Sequence, residues 1–232
     1  MEALAAAFAA TTSPDPAPRK AAEDFLQRAA TQPGFCLLAL QLSAAAGAEE
    51  HVRLAAALAF KNHLKFHWAP ALPDEAGAPQ PLTVGGVEKE QVKGALVAVA
   101  LAQPARIQAQ LSEALALVAA SDFPDSWPAL LPELVARLPS HDPAVVNGVL
   151  TIADTIFRRF CEQYTTVEVV KDIKYVLSLL AAPLLELLVA TGARLAGPEG
   201  SVGASAHALL TTVLLICRIF YSLNYQELPG AA

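Results

Sequence analysis

Apolar positions in this chain group into helix-length runs, and no stretch shows sustained strand-like alternation bounded by hairpin turns. Breaks recur between the runs. SPDPAPRK sets Ser13, Asp15 and three prolines before AAEDFLQRAA, which reads as a capped helix start. TQPGF at 31–35, AAGAEEH at 45–51, Gln103–Pro104, DFPDSWP at 122–128, PSHDP at 139–143, YTT at 164–166 and AGPEGSVG at 196–203 punctuate the rest of the chain. The longest break, APALPDEAGAPQPLTVGG at about 69–86, reads as a flexible Pro/Gly-rich loop.

The pieces between breaks fall into consecutive pairs: 2–11 with 16–30, 33–46 with 50–68, 87–102 with 104–120, 126–138 with 143–163, and 167–194 with 203–224. That spacing is close to the roughly 40–47 residues of HEAT-type repeats. The expected fold is therefore all-α: a right-handed solenoid of about five antiparallel helix pairs, each burying its apolar face on its neighbours. Pro132 and Pro183 fall inside two of the segments, and each is expected to kink its helix by removing a backbone donor.

Composition narrows the class. Hydrophobic residues make up 54% of the 232, with alanine and leucine in excess, which favours helix over strand. Two stretches raise the question of a membrane, VLSLLAAPLLELLVAT (176–191) and ALLTTVLLICRIFYSL (208–223). The first is shorter than the roughly 20 residues of a span and carries Pro183 and Glu186, and the second contains Arg218. Both read as buried helices, so no membrane insertion is expected. The opening MEALAAAFAATTSP lacks a basic segment and carries Glu2, so no secretory signal is read there. Cys36, Cys161 and Cys217 lie far apart in apolar sequence and are expected to be reduced core thiols of an intracellular protein. A formal net charge of −6 argues against general nucleic-acid binding.

The densest chemistry lies in FKNHLKFHW at 60–68. On a helix, Lys61 and Lys65 share a face, with Asn62 beside them and Leu54, Leu58 and Trp68 as an apolar floor. His63 and His67 lie nearly opposite, on a core-facing side with Val52, Ala55, Ala56, Ala59, Phe60 and Phe66. HLKFH has the i, i+4 spacing of a zinc-binding pair but lacks the glutamate of HExxH and a third ligand nearby, so no metal is expected. No GxSxG, phosphate-binding glycine loop or paired cysteines occur, and neither an enzyme nor a cofactor is expected. The lysine face is read as a surface for another protein, with a solvated face lacking any partner as the alternative.

ALAFKNHLKFHW resembles the second repeat of the importin-β superfamily, with its F-K-N-x-[IL]-x3-W pattern, and SDFPDSWPALLPEL resembles that superfamily's D-F-P-x-x-W-P-x-L-L segment. VVNGVLTIADTIFRRF and LLICRIFYSLNYQELP are similar to the CAS-type exportins, which return importin-α to the cytoplasm. The resemblance implies a RanGTP-dependent nuclear export receptor that shuttles between nucleus and cytoplasm through the pore. Its implied partners are RanGTP, importin-α bound with the help of carboxy-terminal repeats, and nucleoporins. Residues 1–232 would then be an amino-terminal HEAT-repeat domain without the family's carboxy-terminal repeats.

By the matching motif positions, Lys61, Asn62 and Lys65 would face Ran and Phe60 the core, with Trp68 part of the same motif. Asp122, Phe123, Pro124, Trp127 and Pro128 would be structural: an acidic helix start, a proline in the first turn and two aromatics packed between repeats. Phe66 departs from the basic residue that members of this type often carry. The rival readings are an import receptor of the same superfamily and a HEAT scaffold that does not bind Ran.

Overall fold

The computed structural model describes residues 1–69, 82–200 and 203–225, so most of the Pro/Gly-rich loop and the end of FYSLNYQELP lie outside the described residues. Among the described residues there is no strand. The helices are α1 (Glu2–Ala10), α2 (Pro16–Ala29), α3 (Phe35–Ser43), α4 (Glu50–His67), α5 (Gly86–Leu101), α6 (Ala105–Asp122), α7 (Leu130–Val135), α8 (Pro143–Phe157), α9 (Arg159–Glu162), α10 (Val167–Ala196) and α11 (Ala204–Asn224). They divide into two compact units, Met1–Ser121 and Asp122–Ala232.

Helix starts follow from local chemistry. Asp15 and Asp142 accept from the amides of Ala17 and Ala144 at 3.0 and 2.8 Å, each with a proline as the first helical residue. Thr166 caps α10 through the amide of Val169. The start of α3 is satisfied from a distance. Gly34 sits at φ 86°, a left-handed conformation that favours glycine. The Glu88 carboxylate of α5 accepts from the amides of Gly34 and Leu37, both at 2.9 Å. Two of the four orphan amides of that helix end are thereby paired with a negative charge.

In the first unit α1 packs on α2 and α4, and α3 packs on α4 and α5. Its core includes Leu40, Ala56, Phe60, Leu64, Leu96, Ile107 and Leu111, each almost fully buried. In the second unit α8 packs on α11, and α10 packs on α7 and α11. Asn147 joins α8 to α11: its amide donates to Ala208 O at 2.9 Å, and its carbonyl accepts from the Thr212 hydroxyl at 2.7 Å. A short 3-10 turn, Pro198–Gly200, follows α10. A Cβ on Gly200 would lie 1.8 Å from the Leu195 carbonyl oxygen, so only glycine fits there.

Several expectations need correction. The segment at 126–138 is helical only over Leu130–Val135. Pro132 is therefore in the first turn of α7, where a missing N–H removes no helix bond and no kink follows. Pro183 does lie inside a helix, the 30-residue α10, where it deprives the Leu179 carbonyl of its usual donor. The segment at 143–163 is divided at Arg158 into α8 and α9. As helices, α10 and α11 run to 30 and 21 residues and are long and apolar enough to cross a membrane by length and composition. Within the fold, Arg218 of α11 pairs with the buried Asp154 of α8 at 2.9 Å. Leu209 and Ile219 of α11 are buried, but Leu185 and Val189 of α10 and Leu210, Leu214 and Phe220 of α11 are exposed, so neither is the wholly buried helix expected from its composition. Of the cysteines only Cys36 is a core thiol, while Cys161 is half-buried and Cys217 exposed.

Candidate partner-binding face

The sequence of α4 sorts into two stripes. Val52, Ala56, Ala57, Phe60, His63 and Leu64 are buried, at the i, i+4 spacing of one helical face. Leu58, Asn62, Lys65 and Phe66 lie toward the other side, with Leu58, Lys65 and Phe66 exposed. Phe60 has no exposed surface, as expected, but Phe66 is 67% exposed rather than core-facing. At roughly 100° per residue it lies about 120° from Phe60, away from the face that packs on α1 and α3. Trp68 ends the helix and is 2% exposed, so it belongs to the core and not to the lysine face. There the Lys89 ammonium of α5 stands 5.1 Å from the centre of its ring. The chain folds back against this end, with the Val84 amide donating to His67 O at 2.9 Å.

The two lysines differ. Lys61 Nζ donates to Gln110 Oε1 at 2.6 Å and to Glu113 Oε2 at 2.7 Å, both on α6. Its side chain is 20% exposed and its charge is matched within the fold. Lys65 is exposed, with its ammonium 5.7 Å from the Phe66 ring centre. The outward chemistry of this helix end is therefore the Asn62 amide, the Lys65 cation and the Phe66 ring, with Leu58 further back along the helix. That combination suits a partner offering carboxylates or carbonyls beside an apolar patch.

His63 is buried, with its ring centre 5.1 Å from that of Phe35 and 4.5 Å from that of His67. Burial, and then the neighbouring His67, push it down to about 4 against the opposing pull of Glu88. It is neutral at neutral pH. His67 is half-exposed, and its Nδ1 lies 2.8 Å from Leu82 O. Among the described residues no group of three or more His, Cys, Asp or Glu is placed to hold a metal.

The second motif lies elsewhere. Asp122 ends α6 instead of starting a helix, and Pro128 precedes α7 by two residues, outside its first turn. Phe123 and Trp127 are buried, at 5% and 4% exposure. The Arg159 guanidinium lies 5.7 Å from the Phe123 ring centre and 5.0 Å from that of Phe160, and donates to Phe123 O at 3.3 Å. This pins the segment that follows Asp122, with Pro124 in a cis peptide. Glu88, Gln110, Glu113 and Asp154 were not singled out from the sequence, since each acts on a residue far away in the chain.

Against known proteins, residues 22–101 match the importin-β N-terminal domain family and residues 156–231 match the Cse1 family. The chain is thus similar to the importin-β superfamily along two separate segments. It is 36% identical over 219 residues to exportin-2 of Oreochromis niloticus, and 35% identical over 219 residues to that of Homo sapiens. Each match covers 94% of the chain but 22% of the relative, so the chain spans about a fifth of their length. Among solved structures, the exportin Cse1 in its cargo-free, cytoplasmic state superposes with a TM-score of 0.87 and 32% identity, over 99% of this chain and 24% of that one. Importin β matches with a TM-score of 0.58 at 18% identity, over 95% of this chain and 28% of that one, a likeness of fold alone. The helix-pair architecture is the HEAT-like solenoid of this superfamily.

Proposed function

We propose that this chain supplies the amino-terminal, Ran-binding repeats of a nuclear export receptor whose cargo is importin-α. The observation that carries the proposal is the identity to exportin-2, which extends across nearly the whole chain and both family segments. The two compact units would work together as one HEAT-repeat domain, and importin-α would be held with repeats beyond this stretch. Asn62 and Lys65 are the residues proposed to meet RanGTP. Lys61, fastened to α6, has the narrower role of fixing the helix end from which they project. Nucleoporin contacts and shuttling between nucleus and cytoplasm belong to the same proposal. The import-receptor alternative is favoured by no feature of α4.

The test is a pull-down on immobilised Ran, loaded with a non-hydrolysable GTP analogue or with GDP. It is run with the chain and with a full-length exportin-2 carrying it in place of its own matching segment. Retention selective for the GTP form supports the proposal. Equal retention on both forms contradicts the proposed GTP dependence, and no retention by the full-length carrier leaves a scaffold without Ran binding.

A further inference from the structure

The second unit contains a cleft that the transport reading does not use. Asp154, Arg158 and Cys161 follow one another at i, i+4 and i+7 across the end of α8 and into α9, and they face Cys217, Arg218 and Tyr221 of α11. Together they line a cavity of about 370 Å3, within the roughly 300–1,000 Å3 typical of small-ligand sites. The Asp154 side chain is 6% exposed and accepts from Arg158 at 3.2 Å and from Arg218 at 2.9 Å. One buried carboxylate thus orients two guanidiniums that are each about half exposed, at 52% and 48%. Two cations against one anion leave a positive charge at the mouth.

The two thiols differ in access. Cys161 is half-buried, with its sulfur 4.0 Å from Ser222 O. Cys217 is exposed and sits next to Arg218. Cys36 lies in the core of the other unit and serves as an unreactive reference.

We propose that this cleft is a thiol-exchange site, in which Cys217 forms a mixed disulfide with a small anionic disulfide of the glutathione class. The Cys217 thiol gives its proton to solvent and its sulfur attacks one sulfur of glutathione disulfide. A bond forms between Cys217 Sγ and that sulfur, and the S–S bond of the reagent breaks. The second glutathione departs as a thiolate that takes up a proton from water. Cys217 is oxidised and the departing half is reduced, so no other oxidant is needed. Arg158 and Arg218 hold the carboxylates of the incoming molecule and raise its local concentration. Positively charged clefts accelerate such encounters by about tenfold or more.

The test follows adduct formation on the 232-residue chain by intact mass and peptide mapping, with glutathione disulfide and with neutral 2-hydroxyethyl disulfide. A single adduct on Cys217 is expected. The glutathione reagent should be favoured over the neutral one about tenfold more than it is by a free small thiol at low salt. That advantage should vanish near 1 M salt, where screening extends over only about 3 Å. The paired changes Arg158→Gln and Arg218→Gln should remove it too, with circular dichroism confirming retained helix. The salt series on the unaltered chain decides the matter even if that variant misfolds. An adduct on Cys161, an internal Cys161–Cys217 disulfide, or a low-salt preference equal to that of the free thiol would overturn the proposal.

Discussion

Reversing Lys61 to glutamate should cost folding stability, whereas the same change at Lys65 should not. Lys61 is 20% exposed and sits 2.7 Å from a Glu113 side chain that is 56% exposed. An ion pair of this accessibility is worth about 0.5–1 kcal/mol. The hydrogen bond to Gln110, at 2.6 Å, adds about 1 kcal/mol. A carboxylate at position 61 would then face Glu113. At about 5 Å and an effective dielectric of about 40 the repulsion is roughly 1.5 kcal/mol, and side-chain rotation relieves about half of it. Lys61→Glu should therefore destabilise the first unit by about 2–3 kcal/mol. Lys65 loses only an exposed ring contact and a favourable position near a helix C-terminus, so Lys65→Glu should stay within about 0.5 kcal/mol of the parent. Urea unfolding followed by circular dichroism measures both, and Lys61→Glu with Glu113→Lys should recover about 1 kcal/mol or more. A Lys61→Glu chain as stable as the parent, or a charge swap that recovers nothing, would show that the α4–α6 pair does not form in solution.

Glu88→Ala should cost about 2 kcal/mol by orphaning the Gly34 and Leu37 amides, with Glu88→Gln losing less. Similar unfolding midpoints for parent and Glu88→Ala would contradict that capping. Because the folded state holds His63 near 4, below its unfolded 6.5, the unfolded chain takes up a proton first as pH falls. Stability should then be lost between about pH 6.5 and 4, on the order of 3 kcal/mol, and His63→Gln should flatten this loss. An equal acid sensitivity in the variant would place His63 in solvent. Ser112 Oγ is buried with no hydrogen-bond partner among the described residues, so Ser112→Ala should be neutral or stabilising by up to about 1 kcal/mol. A loss above about 1 kcal/mol in urea would reveal a bond to that hydroxyl.

Much of the helix order could be read from the sequence because its signals are local. Asp-Pro caps, a threonine cap and apolar runs fix where α2, α8 and α10 start. Phe60 and Phe66 show where that reading fails. A broad apolar face in AAALAFKNHLKFH admits both, but only packing against α1 and α3 decides which one is covered. Lys61 and Lys65 read alike because their difference depends on Glu113, 52 residues further along. The charge of Arg218 read as a mark against a membrane, while its partner Asp154 lies inside TIADTIF, where nothing announces a buried carboxylate. Pro132 read as a kink because the true start of α7 depends on how the DFPDSWP segment is pinned by Arg159, not on helix propensity.

The central claim, that the end of α4 meets RanGTP, is tested most directly by one titration. Ran in its GTP-analogue and GDP forms is titrated with a full-length carrier holding this segment, as parent and as Lys65→Glu, at two ionic strengths. The parent should bind the GTP form selectively. Lys65→Glu should weaken that binding by about tenfold at low salt and less at high salt, with an unchanged melting temperature. Equal affinity of parent and Lys65→Glu for the GTP form at both ionic strengths would contradict the claim and remove this face from the Ran interface.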